Sequence, residues 1–363
     1  MDGVTIVFVA VVGARFVVPL AIPLCPLPAI IAALVLDAAD QSIFQAFGYD
    51  PPGYQSYDKA MDVFYLAVAY LATMRNWEAL PAYAVGRFLY FYRLVGVVAF
   101  ELTQTRALLL VFANTFEYFF IAYEGIRTRW ATVIYKLRWW VVTAAFIWIF
   151  IKLPQEWWIH IAQLDFTEFV ADHSWAAPLL VVLFAMAALV FWFVIRPRLR
   201  PADHPWQFAA DALPEEMDTA AERSTWHATY GALRSTATVE KIVLLGLISV
   251  IYAQTLPGVH ASNTELFIGV AVIVVVNAAA TLYVARRAVT IENALALFGA
   301  RLLFNIVFVA LAEWLLGRGD DLDTVDTFFF LMLISLITTL HDRFLPVLET
   351  RRRLAAEAAS AAA

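Results

Sequence analysis

Long apolar runs alternate with short polar connections along nearly the whole chain. The apolar runs occupy about 4–36, 58–74, 79–100, 107–123, 132–153, 178–195, 242–256, 266–285, 294–317 and 326–345. A bilayer-spanning helix needs roughly 20 predominantly apolar residues. The pattern therefore predicts an all-α fold, a polytopic transmembrane helical bundle of about nine to eleven spans. The first run is too long for a simple span and is interrupted by Pro19, Pro23, Pro26 and Pro28, which predicts a kinked helix or a helix followed by a re-entrant piece. Tryptophans mixed with acids in "EWWIHIAQLDFTEF" (156–169) predict an interfacial helix, because tryptophan favours the headgroup layer.

The one sizeable polar region, 197–240, opens with "RPRLRPADHP" and continues with the acidic "DALPEEMDTAAERS", a linker followed by a short surface helix. It divides the chain into an N-terminal membrane bundle (1–130), connecting spans with the interfacial helix (131–196), the polar loop (197–240), a C-terminal membrane bundle (241–348) and a charged tail (349–363). Composition strengthens the membrane reading: 62% of the 363 residues are hydrophobic and 15% charged, against about 45–50% and about 25% in soluble domains. The net charge of −6 argues against nucleic acid as a partner, which would need a basic face. The single cysteine, Cys25, excludes an intrachain disulfide and a cysteine-based metal site. The N-terminus begins with an acid rather than a basic segment, so the first hydrophobic segment is expected to be retained.

Basic residues cluster at Arg127, Arg129, Lys136 and Arg138, at Arg196, Arg198 and Arg200, at Arg286 and Arg287, and at Arg343 and Arg351 to Arg353. With the predicted spans all four clusters fall on one side, which the positive-inside rule makes cytoplasmic. The acidic connections around Asp165, Glu168 and Asp172, and around Asp320 to Asp326, fall on the other. The expected setting is the cell membrane, crossed many times.

Four acids stand out against this background. Asp37 and Asp40 lie three apart at the predicted end of one apolar helix, and Asp58 and Asp62 lie four apart at the start of the next. Each spacing puts a pair on one helix face. The turn-rich connection between them, with Gly48, "DPPG" and Gly53, lets the two helix ends meet. Four adjacent carboxylates repel one another unless some are protonated or a cation sits between them. Oxygen-only ligands suit Mg2+, Mn2+ or Ca2+. Acids at helix ends also serve as caps or solvated ends, and they line ion or proton pathways, so those alternatives stay open here.

The D-x2-D followed by D-x3-D, with 17 residues between Asp40 and Asp58, resembles the acid spacing of the CDP-alcohol phosphatidyltransferase family. "ARFVVPL" resembles that family's Arg-containing first span, and "LPAYAVGRFLYFYR" its following span. The resemblance covers roughly residues 13–110. It implies that Asp37, Asp40 and Asp58 bind metal, Mg2+ or Mn2+, and that Asp62 is the base that deprotonates an acceptor alcohol. The family's Gly after the second Asp is Gln41 here, its Ala-Arg pair is Phe44-Gln45, and its Gly before the third Asp falls one place off, at Gly53. These departures bear on the nucleotide of the donor more than on the metal. Counting spans back from the basic loops puts the acid motif on the outer side, whereas the family keeps it cytoplasmic.

Arg87 and Arg93 lie in the span 79–100, and Asn114 and Glu117 in or beside the next. Arginine suits phosphate, so Arg87 and Arg93 are the expected phosphate-binding pair, with Lys59, Asn114 and Glu117 in support; an internal pair such as Arg93 with Glu117 is the alternative. In the C-terminal spans Arg301 and Asn305 share a face, and His341-Asp342 reads as a helix-end cap. Three functions remain in view: a metal-dependent phosphotransferase acting on a phosphate-bearing lipid or polyprenyl substrate, a transporter or lipid-handling protein, and a non-catalytic membrane subunit on a degenerate transferase scaffold. The expected partners are membrane lipid and the phosphate-bearing lipid substrate, with a homodimer left open.

Overall fold

The computed structural model describes residues 3–47, 54–162, 164, 169–170, 172–255, 263–287, 293–316 and 324–361. Among these residues the chain is 84% helical and forms no strand. The helices are α1 (Gly3–Val17), α2 (Pro26–Ala46), α3 (Tyr54–Asn76), α4 (Leu80–Thr103), α5 (Ala107–Val111) and α6 (Thr115–Arg127). They continue with α7 (Leu137–Ile161) and α8 (Ala176–Arg198), then α9 (Ala220–Tyr230), α10 (Thr236–Thr255), α11 (Asn263–Arg286), α12 (Ala294–Leu316) and α13 (Thr324–Ala361). Eight stretches of helix among the described residues are long and apolar enough to cross a membrane. Helices α2 and α3, of 21 and 23 residues, have spanning length but carry the aspartates. The molecule is a multi-pass helical membrane bundle.

The first apolar run forms a hairpin rather than one kinked span. Helix α1 stops at Val17, a tight turn with Pro19 follows, and α2 restarts at Pro26. Proline at the first helical position loses no hydrogen bond, because that N–H has no partner in a helix. The hairpin is antiparallel: Phe8 meets Phe44 at 6.0 Å between ring centroids, and Arg15 meets Asp37.

Helix α3 is the axle. Every residue from Val63 to Ala72 is buried, the pattern of a helix surrounded on all sides. It packs against α2, α4, α10 and α13, so the two predicted bundles meet along it. At its C-terminal end Trp77 stacks on Tyr123 at 4.0 Å and donates its indole N–H to Glu124 at 2.9 Å. Glu124 also holds Arg127, which reaches Asp211 at 3.1 Å.

The polar region after α8 is a strap rather than a free linker. Its backbone N–H groups at Asp203, Gln207 and Ala210 donate to the carbonyls of Arg129, Thr128 and Leu24. A capping box, Thr219 with Glu222, then starts α9, as the polar pattern predicted. These contacts gather the α1–α2 turn, the end of α6 and the strap at one end of the bundle. Arg75 is at the same end, its carbonyl accepting from Arg351. We refer to it as the basic end. The aspartates of α2 and α3 lie toward the opposite end.

Two predicted boundaries move. Residues 156–161 form no separate interfacial helix but continue the span as the last turns of α7, with wide turns at Trp148–Lys152 and Trp157–Ile161. These flank Pro154, whose missing N–H interrupts the regular ladder; residues 163, 165–168 and 171 lie outside the described residues. The charged tail continues the last span, because α13 runs unbroken through Pro346 to Ala361.

Helix α4 meets the break between α5 and α6 closely at Gly96, where an added Cβ would fall 2.0 Å from Cβ of Phe112. Gly96→Ala is expected to destabilise the fold by about 1–3 kcal/mol through overpacking, read as a lower melting midpoint in detergent; an unchanged midpoint would show that the contact is slack.

Candidate functional site

The aspartates sit inside their helices rather than at the ends. Helix α2 runs on to Ala46, past both Asp37 and Asp40, so neither acid caps it. From the other helix, Asp62 comes to the same point. The centre is Arg15 of α1, 4% exposed. One of its terminal nitrogens pairs with Asp40, and the other with Asp37 and, at 2.7 Å, with Asp62. Stacking of Phe16 on Phe64 at 4.5 Å fixes α1 against α3 beside these pairs. Asp40 is buried, whereas the Asp62 side chain is 42% exposed. The expected convergence of the two acid helices is therefore present for Asp37, Asp40 and Asp62. The side chains of Asp58 and Lys59 lie outside the described residues.

A second polar layer adjoins the first. Tyr65, one turn along α3 from Asp62, donates to Glu117 at 2.6 Å, and the Asn114 amide donates to the other Glu117 oxygen at 3.0 Å. Helix α7 contributes a polar face at four-residue spacing: Lys152, Glu156 and His160, with Glu156 3.0 Å from His160 and 3.9 Å from Lys152. This layer repairs the break between α5 and α6. The carbonyl of Phe112 accepts from Arg93 at 3.0 Å, and the N–H of Asn114 donates to Glu156 at 3.2 Å. Backbone groups released by a helix break inside a membrane need such partners.

Asn114 and Glu117 thus stand beside the acid cluster, as expected. Arg93 holds the Phe112 carbonyl rather than Glu117. Arg87 is not with the acids: it pairs at 2.7 Å with Glu240 of α10, which also accepts from Tyr70.

Among the described residues no group of three or more His, Cys, Asp or Glu side chains is placed to hold a metal ion. Asp37, Asp40 and Asp62 are paired with Arg15 instead. Its guanidinium stands between the carboxylates and supplies the positive charge they require. The donor chemistry, carboxylate oxygens alone, is that of a hard divalent cation. The arrangement described is the one in which arginine takes that role.

A separate charged centre lies in the C-terminal helices. Asp342 is buried in the middle of α13, not at a helix end, and so it is no cap. It pairs with Lys241 of α10 and, at 2.7 Å, with Arg301 of α12. Arg301 also donates to Thr281 at 3.0 Å. One turn along, Asn305 binds Asn277 at 2.7 Å and Ser335 at 2.9 Å, so Arg301 and Asn305 share a face as predicted. Pro346 has no N–H for the carbonyl four residues earlier, that of Asp342. His227 of α9 supplies the missing donor, Nε2–H to that carbonyl at 2.8 Å. Sequence reading missed Lys241 and His227 in this centre. A cation early in the α10 span and a proline in the α13 span were the available signals.

Comparison with protein-family models, with curated proteins and with solved structures finds no match to this chain.

Burial holds the His227 imidazole below its ordinary pKa, in spite of the neighbouring Asp342. The unfolded chain then binds the proton first, so stability is present above the ordinary histidine value, about 6.5, and is lost as pH falls below it. The melting midpoint is expected to fall between pH 7.5 and 5.5, and to fall less in His227→Gln, whose amide can still donate to the carbonyl. An equal fall in both would remove His227 from the account.

Proposed function

We propose that the chain is an integral membrane phosphotransferase that acts on a phosphate-linked lipid or polyprenyl substrate in the cell membrane. A divalent cation, Mg2+ or Mn2+, would be held by Asp37, Asp40 and Asp58. The observation that carries the reading is the convergence of acids from α2 and α3 on the buried guanidinium of Arg15. Among the described residues, Asp37, Asp40 and Asp62 against Arg15 leave a formal surplus of two negative charges. Such a surplus within a helical bundle favours a divalent cation.

When bound, the metal would neutralise phosphate charge and polarise the bond to the leaving group. Arg15 would then exchange carboxylate oxygens for those of a phosphate, which its planar fork accepts two at a time. Asp62, the most open of the three acids paired with Arg15, would take the proton of the acceptor hydroxyl. Glu117, held by Tyr65 and Asn114, keeps the interior side of the site polar.

Arg15 also favours a second reading. A guanidinium that permanently satisfies three acids would make this a non-catalytic membrane subunit on a transferase scaffold. Manganese binding followed by electron paramagnetic resonance on the full chain in detergent separates the two. The first reading expects saturable Mn2+ binding by the wild type, weakened about tenfold or more in Asp40→Asn, the loss expected of one charged ligand. A folded wild type without saturable binding would contradict it in favour of the second.

A further inference from the structure

A cavity of about 270 Å3 lies between α11 and α12, closed behind by α9 and α13. Its polar wall carries Arg223 from α9, Arg301 from α12, and Asp342 and Arg343 from α13; its apolar wall includes Val284, Leu297 and Phe304. The charge does not balance. Asp342 is the one carboxylate in the wall among the described residues, and it is already shared between Arg301 and Lys241. Arg223, 7% exposed, is satisfied by backbone carbonyls, those of Met217 and Asp218. Arg343 makes no hydrogen bond or ion pair among the described residues. The nearby Glu222 is engaged in the α9 cap, where it accepts from the Thr219 N–H. Arg301 thus has Asp342, and Arg223 has backbone carbonyls with Glu222 and Asp218 nearby, but Arg343 has no counter-charge among the described residues, and a cation so placed in a half-enclosed site needs an anion to offset its desolvation.

Depth and shape narrow the anion. Helix α11 ends and α12 begins at the basic end, and Arg301 lies two turns into α12. That places it in the half of the bundle nearer the basic loops. Phe304, one turn deeper, and Val284 are about 40% exposed and face the surrounding lipid, so the apolar wall continues into the bilayer. Basic pockets between membrane helices on the cytoplasmic side take acidic headgroups. We propose that this cavity binds a phosphate group, with Arg223, Arg301 and Arg343 as donors, and that its ligand is an anionic phospholipid whose chains lie along Val284 and Phe304. The site is separate from the aspartate cluster at the other end of the bundle and does not rest on the phosphotransferase reading.

The test uses the full chain in detergent and two probes. Native mass spectrometry with phosphatidylglycerol and with phosphatidylcholine reads lipid retention, and a melting shift with inorganic phosphate reads the headgroup chemistry alone. The expected result is selective retention of one phosphatidylglycerol, weakened about tenfold in Arg343→Gln and in Arg223→Gln, the loss expected of one charge-assisted hydrogen bond. Arg343→Gln breaks no interaction among the described residues, so it carries the test alone should Arg223→Gln fail to fold. A saturable phosphate shift lost in Arg343→Gln, without lipid selectivity, would keep the phosphate site and assign it to a soluble ligand, overturning the lipid. Equal retention of both lipids with no phosphate shift, or an Arg343→Gln protein that binds as the wild type does, would overturn the site.

Discussion

Charge inside a membrane bundle has to be answered from within the protein, and the pairing of Arg15 with three aspartates is where this chain meets that requirement most heavily. Two acid pairs on separate helices would repel each other without it. The guanidinium links α1 to α2 and α3 at once, and α3 is the helix around which α2, α4, α10 and α13 pack. A buried ion cluster of this kind adds little net stability over an apolar core, but removing one partner costs about 3–5 kcal/mol, because it strands the others. The same arrangement therefore ties the fold to whatever cation occupies its centre.

The backbone obeys the same rule. Where the helix breaks between α5 and α6, Arg93 and Glu156 take up the released carbonyl and N–H. Where Pro346 removes a donor from α13, His227 replaces it. In each case a charged or polar side chain that looks costly in an apolar sequence has a defined structural partner. What distinguishes the α11–α12 cavity is that Arg343 in its wall has no such partner among the described residues, and so it is read as a binding site.

Much of this architecture was legible in the sequence. Apolar runs of spanning length located the membrane helices, since length and hydropathy are local properties. The spacings 37/40 and 58/62 indicated two acid faces, and Asp37, Asp40 and Asp62 do converge. Arg15 as their counter-ion was not legible, because it lies 22 residues or more away and is joined to them by the fold alone. Arg87 was grouped with the acids on helix membership, yet it faces Glu240 of α10, 153 residues further on. Asp342 read as a cap because His, Asp and Arg followed a long apolar run; the helix persists past them because Lys241, Arg301 and His227 satisfy the charge and the carbonyl freed by Pro346. Such long-range pairings leave no periodic trace along the chain.

The central claim is that Arg15 holds the place of a divalent cation. It is tested most directly by the melting midpoint of Arg15→Gln in detergent, measured with and without Mn2+. The account predicts that the substitution lowers the midpoint in metal-free buffer and that Mn2+ restores it, with a larger gain than the wild type shows. A midpoint that falls and is not restored by Mn2+ would contradict the claim and leave the acids as structural partners of arginine alone.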